Sequence, residues 1–151
     1  MILRQRRAAQ RAEQMGYALI DCVLAMTLIG ILSTIAWPRA AGFLDSLSVH
    51  GATSDAFAIF STARASAVSS AAQSTVDIDT AGATMLVRVG QDTVLKRDFG
   101  QVHDVRISAT RQSITYSANG MGYGAGNLTL VIRRGRAVDS LFVSRLGRVR
   151  H

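Results

Sequence analysis

Residues 17–37 form a run of 21 residues in which the only charged side chain is Asp21. As a helix rising about 1.5 Å per residue, such a run matches the roughly 30 Å hydrocarbon core of a bilayer. Arg4, Arg6, Arg7 and Arg11 precede it. Cytoplasmic flanks of membrane spans gather cations, so the N-terminus is expected inside and everything after Trp37 outside. A secretory signal peptide fits poorly, because its apolar region is about 7 to 15 residues long and leads to a small-residue cleavage site.

The span limits what the remainder can be. Of 151 residues 48% are hydrophobic, and with a large share of these in the span the rest suits one small domain. The net charge of +7 is uneven: residues 1–16 carry four Arg and one Glu, residues 17–132 sum to −1, and residues 133–151 carry six Arg and one Asp. If the first end is removed, the C-terminal cluster is the candidate anion-binding surface.

Chemistry of other kinds finds little support. Cys22 is the sole cysteine, which excludes an intramolecular disulfide and a thiol metal site and leaves a small apolar residue of the span. His50, His103 and His151 lack metal-ligand spacing, and no Ser/His/Asp set suggests a triad. Asp77 and Asp79 share one face of a strand and read as a solvated edge. The glycine-rich "NGMGYGAGN" lacks the Lys-Ser/Thr of a phosphate-binding loop and reads as a surface loop. No enzymatic activity, cofactor or metal is expected.

A carboxylate costs about 2.5 to 3.5 kcal/mol at the bilayer centre and usually marks a function or a partner; Asp21, four residues past Tyr17, lies nearer the interface. The stretch Gly16, Tyr17, Ala18, Leu19, Ile20, Asp21 resembles the class III signal of type IV pilins and pseudopilins: a basic leader ending in Gly, an aromatic first mature residue, then an acid at the fifth mature position. Gly30, Ile31, Leu32, Ile35, Ala36 and Pro38 stand where that family carries its Gly-Ile-Leu, Ile-Ala and Pro. The resemblance implies cleavage by a prepilin peptidase between Gly16 and Tyr17 and methylation of the new Tyr17 amine. It also implies that Asp21 pairs with a neighbouring subunit's terminal ammonium and so sets axial register, each charge offsetting the other's desolvation. The family usually has Glu there; the shorter Asp favours a low-copy or tip subunit over a major pilin.

Beyond the span, Phe43, Leu44, Leu47, Ala52, Ala56, Ile59, Phe60, Ala63 and Ala67 recur at three- and four-residue steps, predicting an amphipathic continuation of the helix over residues 39–72. Pro38 is expected to kink it, and Gly42 and Gly51 to loosen it. From Ser74 seven short alternating runs, "STVDID", "TMLVRV", "DTVLKRDF", "VHDVRISA", "QSITYS", "NLTLVIRR" and "AVDSLFVS", predict strands. The expected organisation is α+β: a leader over 1–16, a transmembrane helix over 17–38, the continuation over 39–72, an antiparallel β-sandwich over 73–144 and a basic tail over 145–151.

The C-terminal run "SRLGRVRH" carries the strongest candidate site. Arg148 and Arg150 are two apart and share one side of an extended segment, while Gly147 permits a turn that brings Arg145 near. Guanidinium groups bind phosphates through forked, charge-assisted hydrogen bonds, and Arg133, Arg134 and Arg136 are candidates to join them. From charge alone, a disordered basic tail competes with a DNA-phosphate grip. The long N-terminal helix, the strands and a C-terminal Gly-Arg-x-Arg are together similar to the FimT/GspH family of minor pilins and pseudopilins, in which that motif binds DNA during natural transformation; Gly147, Arg148, Val149 and Arg150 match it in order. The resemblance implies an inner-membrane, single-pass protein with a periplasmic domain, extractable into a filament. Its implied partners are other pilin subunits, the prepilin peptidase, the inner-membrane assembly platform and double-stranded DNA. Two alternatives stay open: an H-type minor pseudopilin of type II secretion without DNA binding, and an unprocessed single-pass anchor.

Overall fold

The computed structural model describes the backbone of residues 2–123 and 127–150 and the side chains of residues 19–123 and 127–150. The side-chain chemistry expected of the leader, Gly16 and Tyr17, like that of His151 and residues 124–126 of the glycine-rich loop, lies outside the described residues. The chain divides into two units, Met1–Ala41 and Gly42–His151. One helix, α1 (Ile2–Ser69), contributes to both.

In the first unit the apolar part of α1 reaches a mean hydropathy of 2.2, and the protein buries none of it. Its hydroxyl side chains satisfy themselves: those of Thr27, Ser33 and Thr34 donate to the carbonyls of Leu24, Ile29 and Ile31 at 2.8, 2.7 and 2.7 Å. Such back-bonding suits an environment that offers no water. Pro38 lies inside α1 and does not end it, because a proline removes one amide donor and leaves the flanking turns able to continue.

The second unit contains the whole described core. From α1, Val49, Ala52, Ala56, Ile59, Phe60, Ala63 and Ala67 form one buried stripe, the period that packs one helix face against a sheet. Four of the seven are alanine, so the strands approach the helix closely. Phe43, Leu44 and Leu47, expected on the same stripe, are exposed. At that level α1 turns Asp45 and Ser48 toward the domain instead, for a reason given below. The helix ends with Ala71 at φ 48° and the Ala72 amide donating to the Ala67 carbonyl at 3.2 Å, a Schellman-type stop made without glycine.

Nine strands follow among the described residues. β1 (Ser74–Asp79), β2 (Thr84–Val89), β3 (Asp92–Asp98), β5 (Ser113–Tyr116) and β6 (Gly122–Tyr123) form one antiparallel sheet in the order β3-β2-β1-β5-β6. β4 (Arg106–Ala109), β7 (Leu128–Arg134), β8 (Ala137–Val143) and β9 (Val149–Arg150) form a second, in the order β4-β7-β8-β9. Inward residues of both sheets, among them Val76, Met85, Val87, Tyr116, Leu130, Ile132 and Leu141, share one core with α1. The α+β class is as expected.

Three local readings differ, the first being that the glycine-rich "NGMGYGAGN", read as a surface loop, contributes β6, paired with β5. The end of the run "DTVLKRDF" and the start of "VHDVRISA", read as strand, instead form a short helix, α2 (Phe99–His103), whose first turn is capped by Asp98 accepting from the Gln101 amide at 2.9 Å; this cap outweighs the strand propensity around it. Residues 145–151, set apart as a tail, instead contribute β9, with Arg150 opposite Phe142 and Val149 opposite Val143.

A charged knot ties β3 and α2 to α1. The Asp55 carboxylate meets Arg97 Nε and His103 Nε2, each at 3.1 Å. Burial pushes the Asp55 carboxyl up, but the His103 hydrogen bond and the adjacent Arg97 guanidinium outweigh it and hold the group below its ordinary 3.8. A carboxyl depressed in the folded state contributes stability that is present above the unfolded value and lost as pH falls through the folded one. The melting-temperature difference between the Gly42–His151 unit and its Asp55→Asn variant is therefore expected to be constant above about pH 5 and to shrink below about pH 4. A difference that grows on acidification would contradict this account.

Candidate functional site

The C-terminal arginines are placed by a hairpin. β8 leads into a turn in which the Gly147 amide donates to the Ser144 carbonyl at 2.9 Å and the Ser144 amide donates to the Arg148 carbonyl at 2.8 Å. The Ser144 hydroxyl accepts from the Arg148 amide at 3.2 Å, and Asn127 Oδ1 accepts from the Arg145 amide at 3.2 Å. Gly147 is buried at φ +73°, and a Cβ there would sit 2.6 Å from the Gly120 carbonyl oxygen and 3.2 Å from the Tyr116 ring. Glycine is required on both counts, conformation and space. Tyr116 is buried beneath it, and burial pushes its phenol up to about 12, against a smaller downward pull from Arg64. Arg145, Arg148 and Arg150 remain exposed, so the segment is ordered while its guanidinium groups face water.

The second set of candidate arginines is elsewhere. Arg133 lies opposite Val138 on β8, whereas Arg150 lies opposite Phe142; four residues of strand separate these levels by about 14 Å. The structure does not bring Arg133, Arg134 and Arg136 beside the C-terminal hairpin. It does place Arg133 and Arg150 on the same outer face, because residues paired in register point to one side. Arg106 of β4 stands directly opposite Arg133 and joins that face. Sequence reasoning missed Arg106, although its place in the alternating "VRIS" run puts it on the solvent phase. Arg136 is exposed in the turn between β7 and β8.

Arg134 points the other way. Its guanidinium meets Asp45 Oδ1 at 3.2 Å and Asp104 Oδ2 at 3.3 Å, and donates to the Ser48 hydroxyl and, at 3.1 Å, to the His103 carbonyl. It clamps β7 and the end of α2 to α1, which is why Asp45 and Ser48 face the domain. With each of its three nitrogens engaged within the domain, Arg134 leaves the set of arginines available to a ligand.

The remaining sequence candidates have simple placements. Asp21 is exposed on α1. Asp77 is ion-paired with Arg88 of the neighbouring strand, and Asp79 accepts from the Ala81 amide at 3.0 Å. Among the described residues no group of three or more His, Cys, Asp or Glu side chains is arranged to hold a metal.

The fold defined by this helix and these two sheets is a pilin fold. In two crystal structures of the type IV minor pilin FimU of Pseudomonas aeruginosa, the chains are 18% identical to this one. One superposes with a TM-score of 0.59 over 68% of this chain and 86% of its own. The other gives 0.57 over 67% and 90%. No family model and no curated protein sequence matches the chain.

Proposed function

We propose that this chain is a low-copy subunit of a type IV pilus-like filament, anchored in the inner membrane before assembly and using its periplasmic domain to hold double-stranded DNA by its phosphates. The observation that carries the DNA reading is the C-terminal hairpin, which fixes the backbone of residues 144–150 and leaves Arg145, Arg148 and Arg150 in water. Their reach to phosphate then requires little ordering of backbone on binding, a cost that a floppy basic tail would bear. Arg106, Arg133 and Arg136 form a second cationic cluster about 14 Å away along β8. That spacing is comparable to the roughly 12 Å width of the DNA major groove, so the two clusters suit phosphates on either side of one groove. Contacts of this kind fix position without reading bases.

The filament role is supported by the FimU-like fold and by the exposed apolar surface of α1. In this reading prepilin peptidase cleaves between Gly16 and Tyr17, Tyr17 is methylated, and Asp21 meets the terminal amine of a neighbouring subunit on the assembly platform. Phe43, Leu44 and Leu47, unused by the domain's own core, then supply helix-to-helix contacts between subunits.

The test is a salt titration of duplex binding by the Gly42–His151 unit, which holds the described core and lacks the basic leader. Affinity for two duplexes of unrelated sequence is expected to be equal and to fall with salt at a logarithmic slope of roughly −5, about 0.9 for each phosphate neutralised by the two clusters. In Arg148→Ala, Arg150→Ala the slope should flatten by about 2 and affinity at low salt should drop at least about tenfold. Absence of salt-sensitive binding by the unaltered unit would sink the DNA reading and leave a subunit of the pseudopilin type.

A further inference from the structure

Between the last turns of α1 and the edge of β9 runs a groove of about 730 Å³. Phe57, Ala65 and Val68 give it an apolar floor, the cationic residues Arg64, Arg148 and Arg150 border it, and no acid is among the described lining residues. The helical wall from Phe57 to Ser69 is about 18 Å long, the length of five or six residues of extended chain at about 3.3 Å each. An apolar, elongated and cationic groove suits an extended polypeptide better than a compact ligand. A DNA duplex is too wide to enter between one helix and one strand.

The strand wall adds a backbone template. Among the described residues β9 is the last strand of its sheet and pairs with β8 alone. The Ser144 amide bonds the Arg148 carbonyl, and Arg150 lies opposite Phe142. In an antiparallel ladder alternate residues bond the partner strand, so Arg148 and Arg150 face β8 while the N–H and C=O of Val149 point to the open edge. An incoming extended chain can bond Val149 there, as in recognition by strand addition. The alternating geometry of that chain would lay every second side chain on the apolar floor and lift the others to the arginines.

We infer that this groove docks an extended segment of another protein chain in which acidic residues alternate with aliphatic ones. Among the described residues the acid–aliphatic alternation, residues 76–79, lies in β1, which is paired on both edges by β2 and β5 and so is not available to it. The inference goes beyond the DNA reading, and Arg64 and Ala65 on α1 have no part in that reading.

The experiment is fluorescence anisotropy of the Gly42–His151 unit with a fluorescein-labelled peptide alternating glutamate and valine, beside one alternating lysine and valine. The glutamate peptide is expected to bind saturably and at least about tenfold more tightly than the lysine peptide. Ala65→Trp, which fills the groove from an exposed helical position, and Arg64→Glu, which reverses one wall charge, should each weaken it about tenfold, with duplex-DNA affinity unchanged in Ala65→Trp. Thermal melts establish that each variant is folded, and Arg64→Glu decides the matter should Ala65→Trp fail to fold. Equal binding of the two peptides, undiminished binding in the folded variants, or no saturation at millimolar peptide would overturn the inference. Any of these alongside intact DNA binding would leave the proposed function standing.

Discussion

Gly147→Ala is expected to detach the C-terminal hairpin and to lower duplex-DNA affinity at least about tenfold while every arginine remains in the sequence. The added Cβ would lie 2.6 Å from the Gly120 carbonyl oxygen, a backbone atom that cannot swing aside, and φ at this position is +73°. Left-handed backbone costs a residue with a Cβ roughly 1 to 2 kcal/mol; the overlap raises the local penalty to about 2 to 3 kcal/mol, comparable to what a two-residue strand and a few turn hydrogen bonds contribute. The hairpin is peripheral, so the rest of the core should stay folded. Two measurements separate this from simple unfolding. Amide exchange should accelerate at residues 144–150 but not in β1 or β7. The Tyr116 phenol, held up at about 12 by burial, should titrate closer to its ordinary 10.0 once its cover is gone. If Gly147→Ala binds DNA normally, the arginines do not need the hairpin, and the ordered-presentation argument fails.

What could be read from the sequence followed the range of the interactions involved. The long apolar helix and the buried stripe Ala52, Ala56, Ile59, Phe60, Ala63 and Ala67 are local features, legible from an unbroken apolar run and from a helical period. The strands with clear alternation, such as residues 74–79 and 128–134, were visible for the same reason. α2 was hidden because valine and phenylalanine around it favour strands; the usable signal was Asp98 with Gln101 three residues on, the pattern of a capped first turn. β9 was hidden because its pairing with β8 places a single aliphatic residue, Val149, between two arginines, which in isolation resembles a solvated tail. The positions of the arginine clusters depend on register, which the sequence does not print. Arg133 and Arg148 belong to one basic C-terminal stretch, yet the β7–β8 and β8–β9 pairings send them to opposite ends of a sheet.

Arg134 shows the same limit most clearly, and its removal carries the largest expected loss of stability. In a run of basic residues it reads as one more phosphate contact, but in the fold it meets Asp45, Asp104, Ser48 and the His103 carbonyl at once. The two acids do not contribute equally: the Asp104 side chain is 85% exposed and that of Asp45 26%, so most of the benefit comes from the Asp45 side. Breaking a fully buried pair costs about 3 to 5 kcal/mol. With Arg134 itself 30% exposed, Arg134→Ala is expected to cost about 2 to 3 kcal/mol, lowering the melting temperature of the Gly42–His151 unit by roughly 10 °C. Arg134→Lys should recover little, because one ammonium cannot reproduce a planar fork that reaches four acceptors in different directions. At a temperature where the variant is still folded, its DNA affinity and salt slope should match those of the unaltered unit, the reverse of Arg148→Ala, Arg150→Ala. An Arg134→Ala protein that keeps its melting temperature but loses salt-sensitive DNA binding would return Arg134 to the phosphate-contact set and move the DNA surface to the β7–β8 turn.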